Sequence, residues 1–357
     1  MRLIEAHHME AIALGAAVLG TGGGGDPYIG KVWAQSNLTR HGAVKLIEVS
    51  ELLDDDLVVP VAIMGAPTVI VEKLPKGDEP MLAFRALEAY LGKPARAVMC
   101  IEAGGLNSTI PFSVASSLGL PLVDCDGMGR AFPELQMVLP TLHGIQASPM
   151  VMADEKGNNL VVNTIDNKWT ERFARSVVVD MGGSATVVLY PMTGAQVKTA
   201  CIHGTLSLIE KIGQAIFEAR ASRHDPVQAV LEVTRGRRLF HGKVADVLRR
   251  TEGGFARGEA TLTGFDTNAG QGMKVFFQNE FLLAERDGQA VASTPDLIAM
   301  LDLDTGEPIT TEALRYGFRV AVIGMPCDPQ WRSAAGLELV GPAYFKYTAA
   351  YVPLEPS

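Results

Sequence analysis

Arg96-Ala-Val-Met-Cys-Ile-Glu102-Ala-Gly104-Gly105-Leu-Asn107 and Leu120-Pro-Leu-Val-Asp124-Cys125-Asp126-Gly127-Met-Gly129-Arg130-Ala-Phe-Pro-Glu134 are the two stretches on which the fold turns. Two short apolar runs, Ala97–Ile101 and Leu120–Val123, each end in a carboxylate. Between them Pro111–Leu118 has helical period. A strand–helix–strand pattern predicts parallel pairing, which brings both strand ends to one edge of a sheet. Glu102 and Asp124 are then expected at the crevice where open α/β sheets bind ligands. Glycines 104, 105, 127 and 129 permit tight turns there, and Arg130 adds a fixed cation with a planar donor fork.

Working outward, residues 4–18 read as a helix that stops at Gly20-Thr-Gly-Gly-Gly-Gly25. This loop matches G-x-G-x-x-G, but a helix precedes it where a dinucleotide fingerprint needs a strand. Asp26-Pro27 predicts a helix start, so the loop, with Gly23 and Gly24, offers free N–H groups to an anion or a carbonyl, or else is only a turn. Val44–Val49 and Leu57–Ile63 read as strands, the second ending in a small-residue loop, Met64–Thr68. Glu79–Leu91 reads as an amphipathic helix. A helix is expected to begin at Phe132–Gln136, a hairpin around Asp154–Asn159, and a helix over Asp166–Ser176. Then come a strand at Ala185–Tyr190 and helices at Thr205–Ala221 and Asp225–Thr234. After Arg250 the pattern is short strands and glycine turns, including Gly258–Gly264, Met273–Glu285, Leu297–Asp302, Arg319–Ile323 and Leu337–Val340. The expectation is an α/β N-terminal domain over 1–170, mainly parallel sheet with flanking helices, and a sheet-rich α+β C-terminal domain over 171–357.

With 357 residues, 47% apolar and 20% charged, the chain suits two globular domains. A net charge of −9 without a basic run argues against a nucleic-acid surface. The four cysteines form no C-x-x-C pair and no His-x-x-x-His occurs, so neither a zinc ribbon nor a disulfide framework is expected. Ala11–Leu19 is short and preceded by Glu5 and Glu10, unlike a signal peptide, and no run reaches membrane-spanning length. A cytoplasmic homo-oligomer without nucleic-acid or membrane partners is the expectation.

The glycine loop Leu19–Pro27, the Glu102-Ala-Gly-Gly-Leu-Asn107 turn and Asp124–Gln136 resemble the S-methyl-thiohydantoin desulfurase family, whose genes accompany hydantoinase/oxoprolinase systems. Further along, Gly204-Thr-Leu-Ser-Leu, Phe276-Phe-Gln-Asn-Glu280, Thr294–Ile298 and Thr305–Thr310 extend the resemblance over nearly the whole chain. The resemblance implies two domains and hydrolysis of an S-methylated thiohydantoin ring, releasing methanethiol.

Such a reaction needs an activated water and help for the leaving thiolate. Glu102, Asp124 and Asp126 are the candidate catalytic carboxylates, each able to serve as base if burial or a neighbouring acid raises its pKa. Another route is a divalent metal such as zinc that activates water, for which Asp124 and Asp126 are the candidate ligands. Arg130 offers a fork to a substrate carboxylate or makes a structural ion pair; Asn107 reads a ring amide or holds a turn. Gly23, Gly24, Gly105 and Glu134 complete the candidate substrate-binding set. Cys125, between two acids, is a poor thiolate and reads as filler; His143 and His203 read as structural. Gln278-Asn279-Glu280 places three polar groups in an apolar strand, so they bond across the domain interface or line the site. The function expected is hydrolysis of a thiohydantoin-like or hydantoin-like ring. The alternatives are a non-catalytic partner subunit of a hydantoinase/oxoprolinase system and, on the glycine loop alone, a nucleotide binder.

Overall fold

The computed structural model describes residues 1–65, 69, 76–252 and 255–355. The Ala66–Thr68 part of the expected small-residue loop lies outside them. The first sheet runs, edge to edge, Arg2–Ile4, Val44–Ile47, Leu122–Val123, Ala97–Cys100, Leu57–Gly65, Ser184–Val188, Met150–Ala153, Asn159–Val162. Its four strands from Val44–Ile47 to Leu57–Gly65 are parallel, with Val98 opposite Leu122 and Val61 opposite Cys100. The helix Ile110–Leu118 makes the crossover between Ala97–Cys100 and Leu122–Val123. These strands are buried on both faces, as parallel strands covered by helices must be.

Beyond Leu57–Gly65 the sheet becomes antiparallel. The strands Ser184–Val188 and Met192–Thr193 both join it, and the helix Thr205–Ser222 packs on the helix Met9–Leu19. Residue 170 therefore divides the sequence without dividing the sheet.

The second sheet is antiparallel throughout, in the order Gln289–Ser293, Glu280–Arg286, Gly272–Gln278, Phe255–Gly264, Arg237–Glu252, Arg319–Met325, Leu297–Asp302. The run Met273–Glu285, expected as one strand, is two. The chain reverses at Asn279, which takes φ 58° and bonds Ala256 N through Oδ1 at 2.8 Å. Asparagine tolerates this left-handed conformation because its short side chain finds a local partner.

Two further expectations are corrected. Leu337–Val340 belongs to a helix, Ala334–Val340, capped by Ser333 Oγ on Gly336 N at 3.1 Å. Phe132–Gln136 starts no helix, because side chains elsewhere claim its donors. The N–H of Phe132 goes to Glu102, and that of Leu135 goes to Glu171 Oε2 at 3.1 Å.

Candidate active site

A cavity of ≈ 100 Å³ opens where the parallel strand ends meet the reversal at Asn279. The first sheet gives it Ile63, Gly65, Ile101 and Glu102, and the second gives it Asn279 and Glu280.

Glu102 leaves the end of Ala97–Cys100 and is 6% exposed. Its Oε1 accepts the Asn107 amide at 2.6 Å. Asn107 in turn is clamped on the neighbouring strand, taking Ile63 N at 2.8 Å and giving to Ile63 O at 3.2 Å. Asn107 thus positions Glu102 as well as lining the cavity. Burial raises the Glu102 pKa to about 7, against the pull of the Asn107 amide and the Phe132 N–H.

Glu280 is the group missing from the sequence-derived catalytic set, although the polar trio that contains it marks it for the site or the interface. It is 3% exposed, and its Oε2 has no hydrogen-bond partner among the described residues. Burial pushes its pKa well above the ordinary carboxylate range, Glu102 pushes it further, and Arg130 opposes. The glycine loop is shaped around this side chain: a Cβ on Gly23 would lie 2.0 Å from Glu280 Oε1. Gly24, at φ 76°, packs so closely that a Cβ there would lie 2.4 Å from Gly104 Cα. Gly24 and Gly25 line the cavity; Gly23 lies under Glu280, and Gly105 packs on Gly25 O and Pro27. The following helix start is occupied by Asp26 Oδ1, which accepts from Tyr28 N at 2.8 Å and Ile29 N at 3.0 Å, so those two donors are already engaged.

Arg130 is fully buried and does not reach the cavity. Its donors go to Ala131 O, Pro295 O, Asp296 O, Thr21 Oγ1 and Phe281 O, and its guanidinium lies 4.6 Å from the Phe132 ring centre. The expected substrate fork is a tie between the two sheets. Burial lowers its pKa to about 10, so it remains a cation near Glu280.

Asp124 and Asp126 also depart from expectation. Asp124 caps the helix Thr205–Ser222, accepting from Leu206 N at 2.8 Å, Ser207 N at 3.1 Å and the Ser207 hydroxyl. Asp126 accepts from the Thr205 hydroxyl at 2.7 Å, Met128 N at 2.9 Å and Gly129 N at 2.6 Å, while burial raises its pKa to about 6. Neither lines the cavity. Their oxygens are spent on turn and helix donors, a poor start for a metal site. Among the described residues no group of three or more His, Cys, Asp or Glu side chains is placed to hold a metal ion.

Glu134 does line the cavity, bonded to Gln136 Nε2 at 2.5 Å and Tyr344 Oη at 2.8 Å. Arg175 joins it from the helix Asn167–Asp180. It pairs with Glu171 at 2.7 Å and lies 4.5 Å from the Phe255 ring centre. Sequence reasoning missed it because one arginine on an amphipathic helix carries no signal. His143 bonds Gln330 Oε1 at 3.0 Å, and His203 pairs through its backbone with Cys125; neither reaches the cavity. What converges is a pair of buried carboxyls, one from each sheet, with Glu102 raised to about 7 and Glu280 pushed by burial well above the ordinary carboxylate range. That is an arrangement for passing protons in both directions at one small ligand.

Residues 7–164 match the family model described as S-Me-THD-like, N-terminal domain, and residues 165–354 match S-Me-THD-like, C-terminal domain. No curated protein matches the chain. A crystal structure of a protein from Chromobacterium violaceum, a structural-genomics target, superposes with a TM-score of 0.83 at 24% identity, covering 99% of this chain and 100% of that one. That likeness establishes the fold. Among the described residues no helix is long and apolar enough to cross a membrane.

Proposed function

The chain belongs to the S-Me-THD-like family, the S-methyl-thiohydantoin desulfurase family its motifs resemble, and on that premise we propose that it hydrolyses an S-methylated thiohydantoin or a closely related ring, releasing methanethiol. The observation that carries the reading is the pair Glu102 and Glu280, buried and facing one cavity from two sheets. Their environments set their roles. Glu102, raised to about 7, is ionised in part at neutral pH and serves as base; Glu280, which burial and Glu102 push well above the ordinary carboxylate range while Arg130 opposes, serves as acid.

Water attacks the ring carbon that bears sulfur while Glu102 takes one of its protons. The C=N electron pair moves to the ring nitrogen, which receives the Glu280 proton. The tetrahedral carbon then collapses. Its hydroxyl returns a proton to Glu280 as C=O forms, the C–S bond breaks, and Glu102 delivers its proton to the departing sulfur. Both carboxyls end as they began, with water consumed and methanethiol released. Positioned acid–base groups contribute about 10²–10⁴-fold each.

The test is colorimetric detection of released thiol from an S-methyl-thiohydantoin, with wild type, Glu102→Gln and Glu280→Gln compared at equal folding. Turnover by wild type, and loss of at least about a hundredfold in each variant, supports the reading. Absence of thiol release by wild type defeats it and favours a partner-subunit role.

A further inference from the structure

A second groove, ≈ 560 Å³, lies on the face of the second sheet beneath Phe345 and Tyr347. Strand register builds its floor in two rows. Leu248 stands opposite Glu259, which stands opposite Phe276; Arg250 stands opposite Arg257, which stands opposite Gln278. All six line the groove. Cross-strand partners share a face, and two like charges directly opposite are destabilising. Beyond the Phe255 ring, whose centre lies 5.8 Å from the Arg257 guanidinium, little in the protein offsets this pair. Glu259 is engaged by Lys274 at 2.9 Å. The contact of Arg250 with Glu252, at 3.5 Å, is largely exposed and worth little. Arg257 has no carboxylate within ion-pair distance among the described residues, and its Nε is buried without a hydrogen-bond partner. Beside the arginines, Phe276 and Tyr347 present rings with centres 5.9 Å apart, inclined by 52°.

We propose that this groove binds a flat ring carrying an oxyanion, either carboxylate or phosphate. The oxyanion bridges Arg250 and Arg257, for which a guanidinium fork is suited, and the ring stacks on Phe276 and Tyr347. The volume falls within the few hundred Å³ of small-molecule sites. The proposal is independent of the hydrolysis reading, since neither Glu102 nor Glu280 lines the groove.

The experiment is calorimetric titration of the full chain with phenyl phosphate, benzoate and inorganic phosphate. Saturable binding of phenyl phosphate or benzoate is expected, at least tenfold tighter than inorganic phosphate. Arg257→Gln and Arg250→Gln are each expected to weaken it at least tenfold, and Glu102→Gln to leave it unchanged. Preference between the two aromatic probes identifies the oxyanion. Arg250 is largely exposed, so its variant keeps the test valid even if Arg257→Gln disturbs folding. Failure of both aromatic probes to bind, or binding that both arginine variants retain, overturns the proposal. Equal binding of inorganic phosphate overturns its ring component.

Discussion

Gly23 and Glu280, one from the loop after the first helix and one from the second sheet, are complementary in shape: a Cβ at 23 would lie 2.0 Å from the Glu280 carboxyl oxygen. The backbone at 23 is not left-handed, and the three atoms nearest an added Cβ all belong to the Glu280 side chain. Gly23→Ala is expected to push Glu280 aside, cutting thiol release at least tenfold at a cost of about 1–3 kcal/mol in stability. Thermal melts beside turnover measurements check this; unchanged turnover would show that the position of Glu280 is not critical.

Glu102 makes stability depend on pH with a definite sign. Its pKa is about 7 folded against 4.5 unfolded. Below pH 4.5 both states are protonated and nothing is lost. As pH rises from 4.5 to 7 the unfolded chain ionises first, so stability falls, by roughly 3 kcal/mol in full. Asp126, raised to about 6 from 3.8, adds in the same direction. Glu102→Gln is therefore expected to be more stable than wild type at pH 8 and no different at pH 4, as read from denaturant melts.

Asn107 favours the ionised form of Glu102 through the 2.6 Å amide bond, against the larger effect of burial. Turnover should rise with pH through about 7 in the wild type, where Glu102 ionises. In Asn107→Ala that limb is expected to move to higher pH. Ile63 N and O also lose their partner, at about 1–3 kcal/mol. An unmoved limb would reduce Asn107 to a structural brace.

Asp124→Ala removes the cap from the helix Thr205–Ser222. The expected cost is about 1–2 kcal/mol in chemical denaturation, with turnover of the folded protein retained. A hundredfold loss of turnover in folded protein would return Asp124 to the catalytic set.

Arg130→Lys keeps the charge and loses the fork that reaches Phe281, Pro295 and Asp296. With several buried carbonyls left unpaired, destabilisation on the order of 3 kcal/mol or more is expected in thermal melts. A melting point within a degree of wild type would contradict the tie.

The parallel block was legible because apolar runs, helical period and glycine stops are local signals, and Glu102 follows directly from where its strand ends. Asp124 looked equivalent and is not. The donors that claim it, Leu206 N and Ser207 N, lie on a helix far along the chain. Arg130 presents the same difficulty: a fork suited to a ligand is equally suited to carbonyls of another sheet. Glu280 was flagged as a polar group needing a partner, but its pairing with Glu102 depends on the docking of the two sheets, which periodicity does not encode. Phe132–Gln136 misled because proline near a helix start is a real signal, overridden here by carboxylates that take its N–H groups.

The distribution of Glu102 and Glu280 over the two sheets has a consequence for synthesis on the ribosome. Glu102 is translated early and Glu280 only after most of the chain has been made. The seam that seats the acid also needs Thr311, which bonds Gly22 O. A half-made chain thus carries one member of the proposed pair and no docked partner, so the proposed reaction requires a chain extended past residue 311.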